Sequence, residues 1–142
     1  MDNYIEMKLP AVSKNEAFAR NAIAAFCVEL NPTVEEVNDI KTAVSEAVTN
    51  CIVHAYGGDG GEITIRATID GYTLHIAVMD CGVGIDDVES ALKPFYTTRP
   101  DEERSGMGFT IMETFMDELV VRSVKGEGTS VEMTKSFYKE QE

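Results

Sequence analysis

The sequence predicts an α/β two-layer sandwich, in which a mixed, mostly antiparallel sheet is covered on one face by helices. Apolar residues recur at three- and four-residue steps over 34–55, which is the period of a helix with one buried stripe. Apolar and polar residues alternate over 63–69 and 74–78, which is the period of strands with one buried face. Asp70-Gly71 stands between those two segments and predicts a tight hairpin.

The composition is that of an ordinary globular chain. At 142 residues, with 44% hydrophobic and 26% charged residues, we expect one domain over 1–142 with a proper core. A net charge of −13 argues against direct binding of a nucleic-acid backbone, which is recognised by clustered Lys and Arg. A phosphate ligand would therefore need local positive charge or N–H donors, from a metal, a helix N-terminus or a few nearby cations.

We expect a cytoplasmic protein that does not enter a membrane. No apolar run approaches the roughly 18 residues that span a bilayer, and the first residues lack the basic and apolar blocks of a secretory signal. The three cysteines, Cys27, Cys51 and Cys81, are odd in number and widely spaced. We interpret Cys27 and Cys51 as small buried side chains in a reducing compartment.

The first elements are a strand and a helix. Ile5, Met7 and Leu9 alternate with charged residues before Pro10, which predicts a half-buried strand. The segment 13–16 reads Ser-Lys-Asn-Glu and predicts a helix start with a capping box. We expect this helix to end before Asn31-Pro32 and to bury one stripe: Phe18, Ala22, Ala25 and Phe26.

The second helix carries the first candidate site. The segment 33–36, Thr-Val-Glu-Glu, is another capping box, and the glycines at 57–58 predict the helix end. Glu46 and Asn50 are four residues apart, so they lie one turn apart on a face that points largely away from the apolar stripe. Such a pair could be a general base and a metal ligand. The spacing alone equally fits a solvated helix face.

Two glycine motifs follow. The second hairpin strand leads into Asp80-Cys81-Gly82-Val83-Gly84, where a carboxylate at a strand end precedes glycines that let a flat ligand approach the backbone. After a short helix over 87–92, a long irregular stretch over 93–105 is typical of a functional lid or of disorder. It ends at Ser105-Gly106-Met107-Gly108, which opens a helix whose free N–H groups could hold an anion, or which could simply be hinged there. Strands over 119–124 and 130–137 complete the chain, with a turn at 125–128.

Each motif is weak, but their order along the chain resembles the GHKL, or Bergerat, ATP-binding fold. The resemblance covers 34–134 and implies a nucleotide site for ATP or ADP with Mg²⁺. It implies that Glu46 is the catalytic base, that Asn50 is a ligand of Mg²⁺, and that Asp80 accepts a hydrogen bond from the adenine amino group. The other implied nucleotide contacts are Gly82, Gly84, Thr97, Thr98, Arg104, Ser105, Gly106, Met107, Gly108 and Thr129.

Within that fold, the chain is most similar to the anti-sigma factor serine kinases. The runs ERSGMGFTIME at 103–113 and FMDE at 115–118 carry this resemblance, together with 41–50 and 13–26. Histidine kinases typically have a further glycine where this chain has Ser105, and they need a helical domain for which 142 residues leave no room. We therefore expect the chemistry to occur on a partner protein.

The resemblance favours the branch of this family found in sporulating bacteria over the general-stress branch. It implies transfer of the terminal phosphoryl group of ATP to a serine of an anti-anti-sigma factor, and sequestration of a sigma factor, sigma F, from RNA polymerase. It also implies a homodimer, which we place on the first strand and first helix, where Arg20 is a candidate partner contact. A plain ATPase that activates water with Glu46, and a nucleotide-sensing binding module without either activity, remain open from the residues alone.

Overall fold

The computed structural model describes residues 2–56, 60–85, 87–92 and 108–137. In chain order the elements are β1 (Asn3–Pro10), α1 (Lys14–Phe26), α2 (Val34–Asn50), β2 (Glu62–Asp70), β3 (Thr73–Asp80), α3 (Val88–Ala91), α4 (Gly108–Phe115), β4 (Glu118–Val124) and β5 (Gly128–Ser136). A 3₁₀ turn over Cys27–Leu30 follows α1, and a π-helical turn over Cys51–Ala55 follows α2.

The five strands form one sheet in the order β1-β2-β3-β5-β4. All four neighbouring pairs of these strands are antiparallel. The predicted fold class is confirmed, although no parallel pair occurs among the described strands. The hairpin is displaced by one residue from the prediction, because Asp70 still pairs with Thr73 and the loop consists of Gly71 and Tyr72. Gly71 has φ +60, which suits the first position of a type II′ turn.

One face of the sheet packs against the helices and forms the core. The inward residues of β2 and β3 are fully buried, as their alternation predicts: Ile63, Ile65, Ala67, Ile69, Leu74, Ile76 and Val78. They join a single cluster with Ile40, Val44 and Val48 of α2 and with Met112 of α4. Helices α1 and α4 both pack against α2, so α2 is the central helix of the layer.

The opposite face of the sheet is polar. Ion pairs join Arg66 to Glu6 and Arg122 to Glu132 there. These two arginines, with His75, line a groove of about 290 Å³ on the side of the sheet away from α2. None of the helices among the described residues combines the length and apolar character needed to cross a bilayer.

Helix α2 begins as predicted. Thr33 has an extended backbone conformation, its Oγ1 accepts from the Glu36 N–H at 3.1 Å, and the Glu36 carboxylate accepts from the Thr33 N–H at 2.8 Å. These two bonds satisfy donors that a helix start leaves unpaired. The helical path continues to Ala55 through the π-helical turn, while the glycines expected to end it lie outside the described residues.

Helix α1 begins where predicted, but its capping box does not form and its buried stripe is different. Ser13 has helical backbone angles and makes no side-chain capping bond. Its expected partner Glu16 instead accepts from Ser45 Oγ, at 2.8 Å.

The predicted stripe of Phe18, Ala22, Ala25 and Phe26 is wrong for α1. Phe18 is 55% exposed, and the buried residues are Ala19 and Ile23, followed by Cys27 at the next four-residue step. Phe26 is partly buried and packs against the core. Apolar residues occur nearly all round this helix, so periodicity alone did not determine which stripe would face α2.

A buried lysine joins the last strand to two helices. Lys135 is only 9% exposed, its Nζ donates to the carbonyl of Phe115 at the end of α4 at 2.8 Å, and the Asp39 carboxylate of α2 lies 3.7 Å away. Replacing Lys135 by Met would leave that carbonyl without this donor, so we expect the free energy of unfolding to fall by about 2 kcal/mol.

Urea unfolding followed by circular dichroism would measure this effect. The matched control is Lys8→Met on the exposed side of β1, for which a change within about 0.5 kcal/mol is expected. Equal unfolding midpoints for the two variants would show that the Lys135 contacts contribute nothing to stability.

Candidate functional site

The carboxylate of Asp80 is the centre of the candidate site. Asp80 is the last residue of β3 and pairs with Ile63 of β2 and Thr129 of β5. Its Oδ1 accepts from the backbone N–H of Gly82 at 2.9 Å and from that of Thr129 at 3.2 Å. Its Oδ2 lies 3.5 Å from the thiol of Cys51. One oxygen is therefore engaged by two backbone donors, and the other retains lone pairs for a ligand.

Partial burial determines the direction in which the pKa of the Asp80 carboxyl shifts. Desolvation raises the pKa of Asp80, and the donors Gly82, Cys51 and Thr129 oppose that rise. Burial and the adjacent Asp80 carboxylate raise the pKa of the Cys51 thiol well above its usual value. Cys51 therefore stays protonated and acts as a donor toward Asp80. Sequence reasoning treated Cys51 only as a buried small side chain, because its contact with Asp80 depends on tertiary packing.

The loop after β3 is held between two backbone segments. The Val83 N–H donates to the carbonyl of Ala55 at 3.1 Å, and the Val83 carbonyl accepts from the Gly126 N–H at 2.7 Å. A Cβ on Gly82 would lie 2.4 Å from the Ala55 oxygen, and one on Gly84 would lie 2.4 Å from the Val124 oxygen. The glycines of D-x-G-x-G are thus required by close approach of this loop to the protein's own backbone.

The end of α2 lies against Asp80. Glu46, Asn50 and His54 are half-buried along this end of the helical segment. The π-helical turn starts directly after Asn50 and carries Cys51 to Asp80. Turns of this type are frequent at functional sites. The structure thus brings the Asn50 end of α2 together with Asp80 and Thr129, with Glu46 one turn earlier on the same helix.

Tyr56 is a site residue that sequence reasoning missed. Its hydroxyl donates to the carbonyl of Glu62 at 2.7 Å and accepts from the N–H of Cys81 at 2.8 Å. It therefore anchors the residue that follows Asp80. Its only signal in the sequence was its position before the glycines at 57–58, which we interpreted as a helix end.

The remaining predicted residues divide into two groups. Gly108 is the first described residue of α4 and is buried. The others lie outside the described residues, as does the whole 93–105 lid: Thr97, Thr98, Arg104, Ser105, Gly106 and Met107.

Arg20 lies on α1 rather than beside Asp80. It forms an ion pair with Glu16, whose other carboxylate oxygen accepts from Ser45 Oγ at 2.8 Å. Ser45 directly precedes Glu46 in α2. Arg20 is therefore linked through Glu16 to the helix that carries the predicted base.

No group of three or more acidic, histidine or cysteine side chains that could hold a metal occurs in the described residues. A cation at Asn50 would take most of its ligands from phosphate and water, which is how Mg²⁺ is commonly bound beside nucleotides.

The GHKL resemblance implies that Asp80 holds a nucleotide base, and the titration of Asp80 then predicts a pH dependence of nucleotide binding. An amino donor is accepted best by the ionised carboxylate, and burial raises the Asp80 pKa above its ordinary 3.8. As pH falls through this raised pKa, the protonated fraction grows, so we expect nucleotide affinity to fall in mildly acid solution. Calorimetry of ADP binding across pH measures this. In Asp80→Asn the contribution of this carboxylate is absent while all other titrations remain, so identical pH profiles for the two proteins would contradict the assignment.

Helices cover one face of an antiparallel sheet, and a half-buried carboxylate at a strand end is followed by a glycine loop, an arrangement that fits a histidine kinase-like ATPase domain. The family model described as "Histidine kinase-like ATPase domain" matches residues 9–135. The "Anti-sigma F factor" of Caldanaerobacter subterraneus is 59% identical over 134 residues, which cover 94% of each chain. That of Clostridium acetobutylicum is 55% identical over 137 residues, 96% of each chain. The chain belongs to the anti-sigma F factor family of GHKL domains.

Solved structures show the same fold at low identity. The RsbU and RsbW domains of Rv1364c from Mycobacterium tuberculosis match with a TM-score of 0.67 at 19% identity. That match covers 94% of this chain and 32% of the longer Rv1364c chain. The catalytic domain of the histidine kinase ThkA matches with a TM-score of 0.57 at 16% identity, over 94% of this chain and 95% of its own.

Proposed function

We propose that this protein is both an anti-sigma factor and an ATP-dependent protein-serine kinase. In this proposal it binds the sporulation sigma factor, sigma F, keeps it from RNA polymerase, and phosphorylates a serine of an anti-anti-sigma factor. The observation that carries the proposal is the Asp80 carboxylate at the end of β3, half-buried, with one oxygen fixed by two backbone donors and the other able to accept from a ligand. The names of its relatives support the sigma-factor partner.

Asp80 and its neighbours are proposed to hold the adenine base. Oδ2 of Asp80 accepts from the adenine amino group, and Thr129 lies beside it on β5 and contacts the base through water. Gly82 and Gly84 allow the loop to lie close to the Ala55 and Val124 carbonyls, and we propose that a flat ring lies on this loop next to the carboxylate. Ligand sites commonly gain specificity from a few fixed polar groups, and Asp80 would be the group that recognises the base.

Glu46 and Asn50 are proposed to act at the phosphate end. Glu46 takes the proton from the attacking serine hydroxyl, and Asn50 gives its side-chain oxygen to Mg²⁺. When bound with the nucleotide, Mg²⁺ supplies positive charge that offsets the phosphate oxygens, which matters in a chain of net charge −13. Both side chains are half-buried on α2, which the core holds rigidly.

The remaining contacts are proposed for the lid and for the start of α4. Gly108 is the first described residue of α4, and we propose that N–H groups at this end of the helix face phosphate oxygens. The other proposed nucleotide contacts are Thr97, Thr98, Arg104, Ser105, Gly106 and Met107. We also propose that residues 1–142 act as one cytoplasmic domain, that the protein is a homodimer, and that Arg20 contacts a partner.

The test is incubation of the protein with radiolabelled ATP, Mg²⁺ and the candidate anti-anti-sigma factor, followed by identification of the labelled residue. Label on a serine of the anti-anti-sigma factor supports the proposal. Free phosphate without a phosphoprotein would identify an ATPase. Nucleotide-dependent partner binding without either product would identify a sensing module, and either result would overturn the kinase assignment.

A further inference from the structure

One side-chain contact shows how α1 and α2 are aligned where they pack together. Only residues 27–33 connect the two helices, and packed helices joined by so short a connection run antiparallel. Ser45 Oγ of α2 donates to Glu16 Oε1 of α1 at 2.8 Å. One turn from this contact leads forward to Arg20 on α1 and back to Lys41 on α2. Arg20 and Lys41 are therefore neighbours across the two helices.

The charges of these two neighbours are balanced differently. The Arg20 guanidinium pairs with Glu16 Oε2. Lys41 is half-buried, and its side chain has neither an ion pair nor a hydrogen bond with any other residue that the structure describes. We call Glu16, Arg20, Lys41 and Ser45 the Arg20–Lys41 patch. Within this patch two cations stand against one carboxylate, in a chain whose net charge is −13.

An acidic side chain is the group that fits this patch. A half-buried ammonium group has lost part of its hydration, and a carboxylate placed against it compensates for that loss. The Arg20 side chain is 35% exposed, and its pair with Glu16 leaves guanidinium N–H groups that can donate to a second carboxylate. One incoming carboxylate can therefore accept from Arg20 and Lys41 together.

The position of the patch on α2 indicates which partner carries that carboxylate. Lys41 precedes Glu46, the proposed base, by five residues, which is about 7 Å along the helix axis. A stable protein interface covers about 800 Å² on each partner, a surface much wider than this distance. A protein that brings its serine to Glu46 can therefore cover the patch as well.

We propose that Lys41 is a specificity-determining residue for the protein substrate, which binds an acidic side chain of the anti-anti-sigma factor beside Arg20. This inference rests on the proposed function, because it takes Glu46 as the base and a serine-bearing protein as the phosphate acceptor. Lys41 has no part in the chemical step or in nucleotide binding. Its removal should weaken capture of the protein substrate alone.

The test measures transfer of label from ATP at saturating Mg²⁺ and ATP, with the anti-anti-sigma factor varied. In Lys41→Met we expect the KM for the anti-anti-sigma factor to rise roughly fivefold, the size of one partly exposed charge pair, with kcat and the dissociation constant of ATP unchanged. Lys41→Arg keeps the charge and should retain the KM of the unchanged protein. Lys8→Met removes the same charge from the exposed side of β1 and should leave the KM unchanged.

Ionic strength separates a charge contact from a structural effect. Salt screens the pair, so the KM of the unchanged protein should rise with salt and that of Lys41→Met should rise less. A structural role would raise the KM without changing its salt dependence, and that result overturns the inference. If Lys41→Met lowers the thermal midpoint, Lys41→Gln replaces it in both measurements.

The remaining outcomes also decide between the proposals. A KM that does not depend on Lys41, with label still transferred to a serine, overturns this inference alone. Weaker binding of the sigma factor with an unchanged KM overturns it too, because the patch would then receive the other partner. Absence of transfer by the unchanged protein overturns the proposed function as well.

Discussion

Replacing Glu46 by Gln is expected to reduce phosphoryl transfer by a factor of about 10²–10⁴, the range typical of a lost general base, while ATP binding is retained. The substitution keeps the shape of the side chain and removes its ability to accept the serine proton. Glu46 lies on the central helix one turn before Asn50, whereas the contact with the Asp80 carboxylate that would hold the base is made by Cys51. The measurement is single-turnover transfer of label to the anti-anti-sigma factor, beside the dissociation constant of ATP.

Glu35→Gln is the matched control for this experiment. Glu35 is exposed in the first turn of the same helix. Its substitution therefore makes the same change of charge at the opposite end of the helix from Asn50. We expect normal transfer in this variant. A loss of ATP affinity in Glu46→Gln as large as that in an Asp80 variant would contradict the separate roles of the two carboxylates.

Replacing Asp80 by Asn is expected to weaken nucleotide binding by roughly ten- to a hundredfold, since a hydrogen bond to a charged group contributes about 1.5–3 kcal/mol. Asparagine can keep its oxygen toward the N–H groups of Gly82 and Thr129, so the local backbone should persist. Its NH₂ group would then stand where Oδ2 accepts, and a donor would face the donor of the ligand.

Cys51→Ala is the comparison for Asp80→Asn. It removes only the thiol that lies 3.5 Å from Oδ2 and leaves both backbone donors in place. We expect a much smaller loss of affinity than in Asp80→Asn, measured by calorimetry on samples whose thermal unfolding matches the unchanged protein. Equal losses would mean that the orientation of the carboxylate, more than its charge, determines binding.

Local patterns predicted the parts of the fold in which one physical signal dominates. The alternation in β2 and β3 identified their buried residues because each strand has one apolar face. The start of α2 was predicted because Thr33 and Glu36 satisfy each other's backbone donors without help from the rest of the protein. In α1 the same kind of pattern failed, since Glu16 pairs with Arg20 one turn later and with the distant Ser45 of α2, and not with the backbone of Ser13.

The candidate site was predictable only in part, because some of its contacts join residues that are distant in sequence. The position of Asp80 at a strand end and the glycines after it follow from the order of residues. The contacts that orient Asp80 come from Cys51, which is distant in sequence, and from Thr129 on another strand. Ser123 carried no local signal beyond its place in an alternating strand, and its contact with Thr129 depends on the register that pairs the two residues.

The π-helical turn after Asn50 has a consequence for sequence length. The turn is closed by a hydrogen bond from the Tyr56 N–H to the Cys51 carbonyl at 3.2 Å, which makes a wider ring than in an α-helix. This path places the Ala55 carbonyl where it accepts from the Val83 N–H. Deleting one residue within 51–55 would tighten this segment and rotate everything after it by about 100° around the helix axis. Ala55 and Tyr56 would then face away from the loop they anchor. A single-codon deletion in this segment is therefore expected to detach the Asp80 loop.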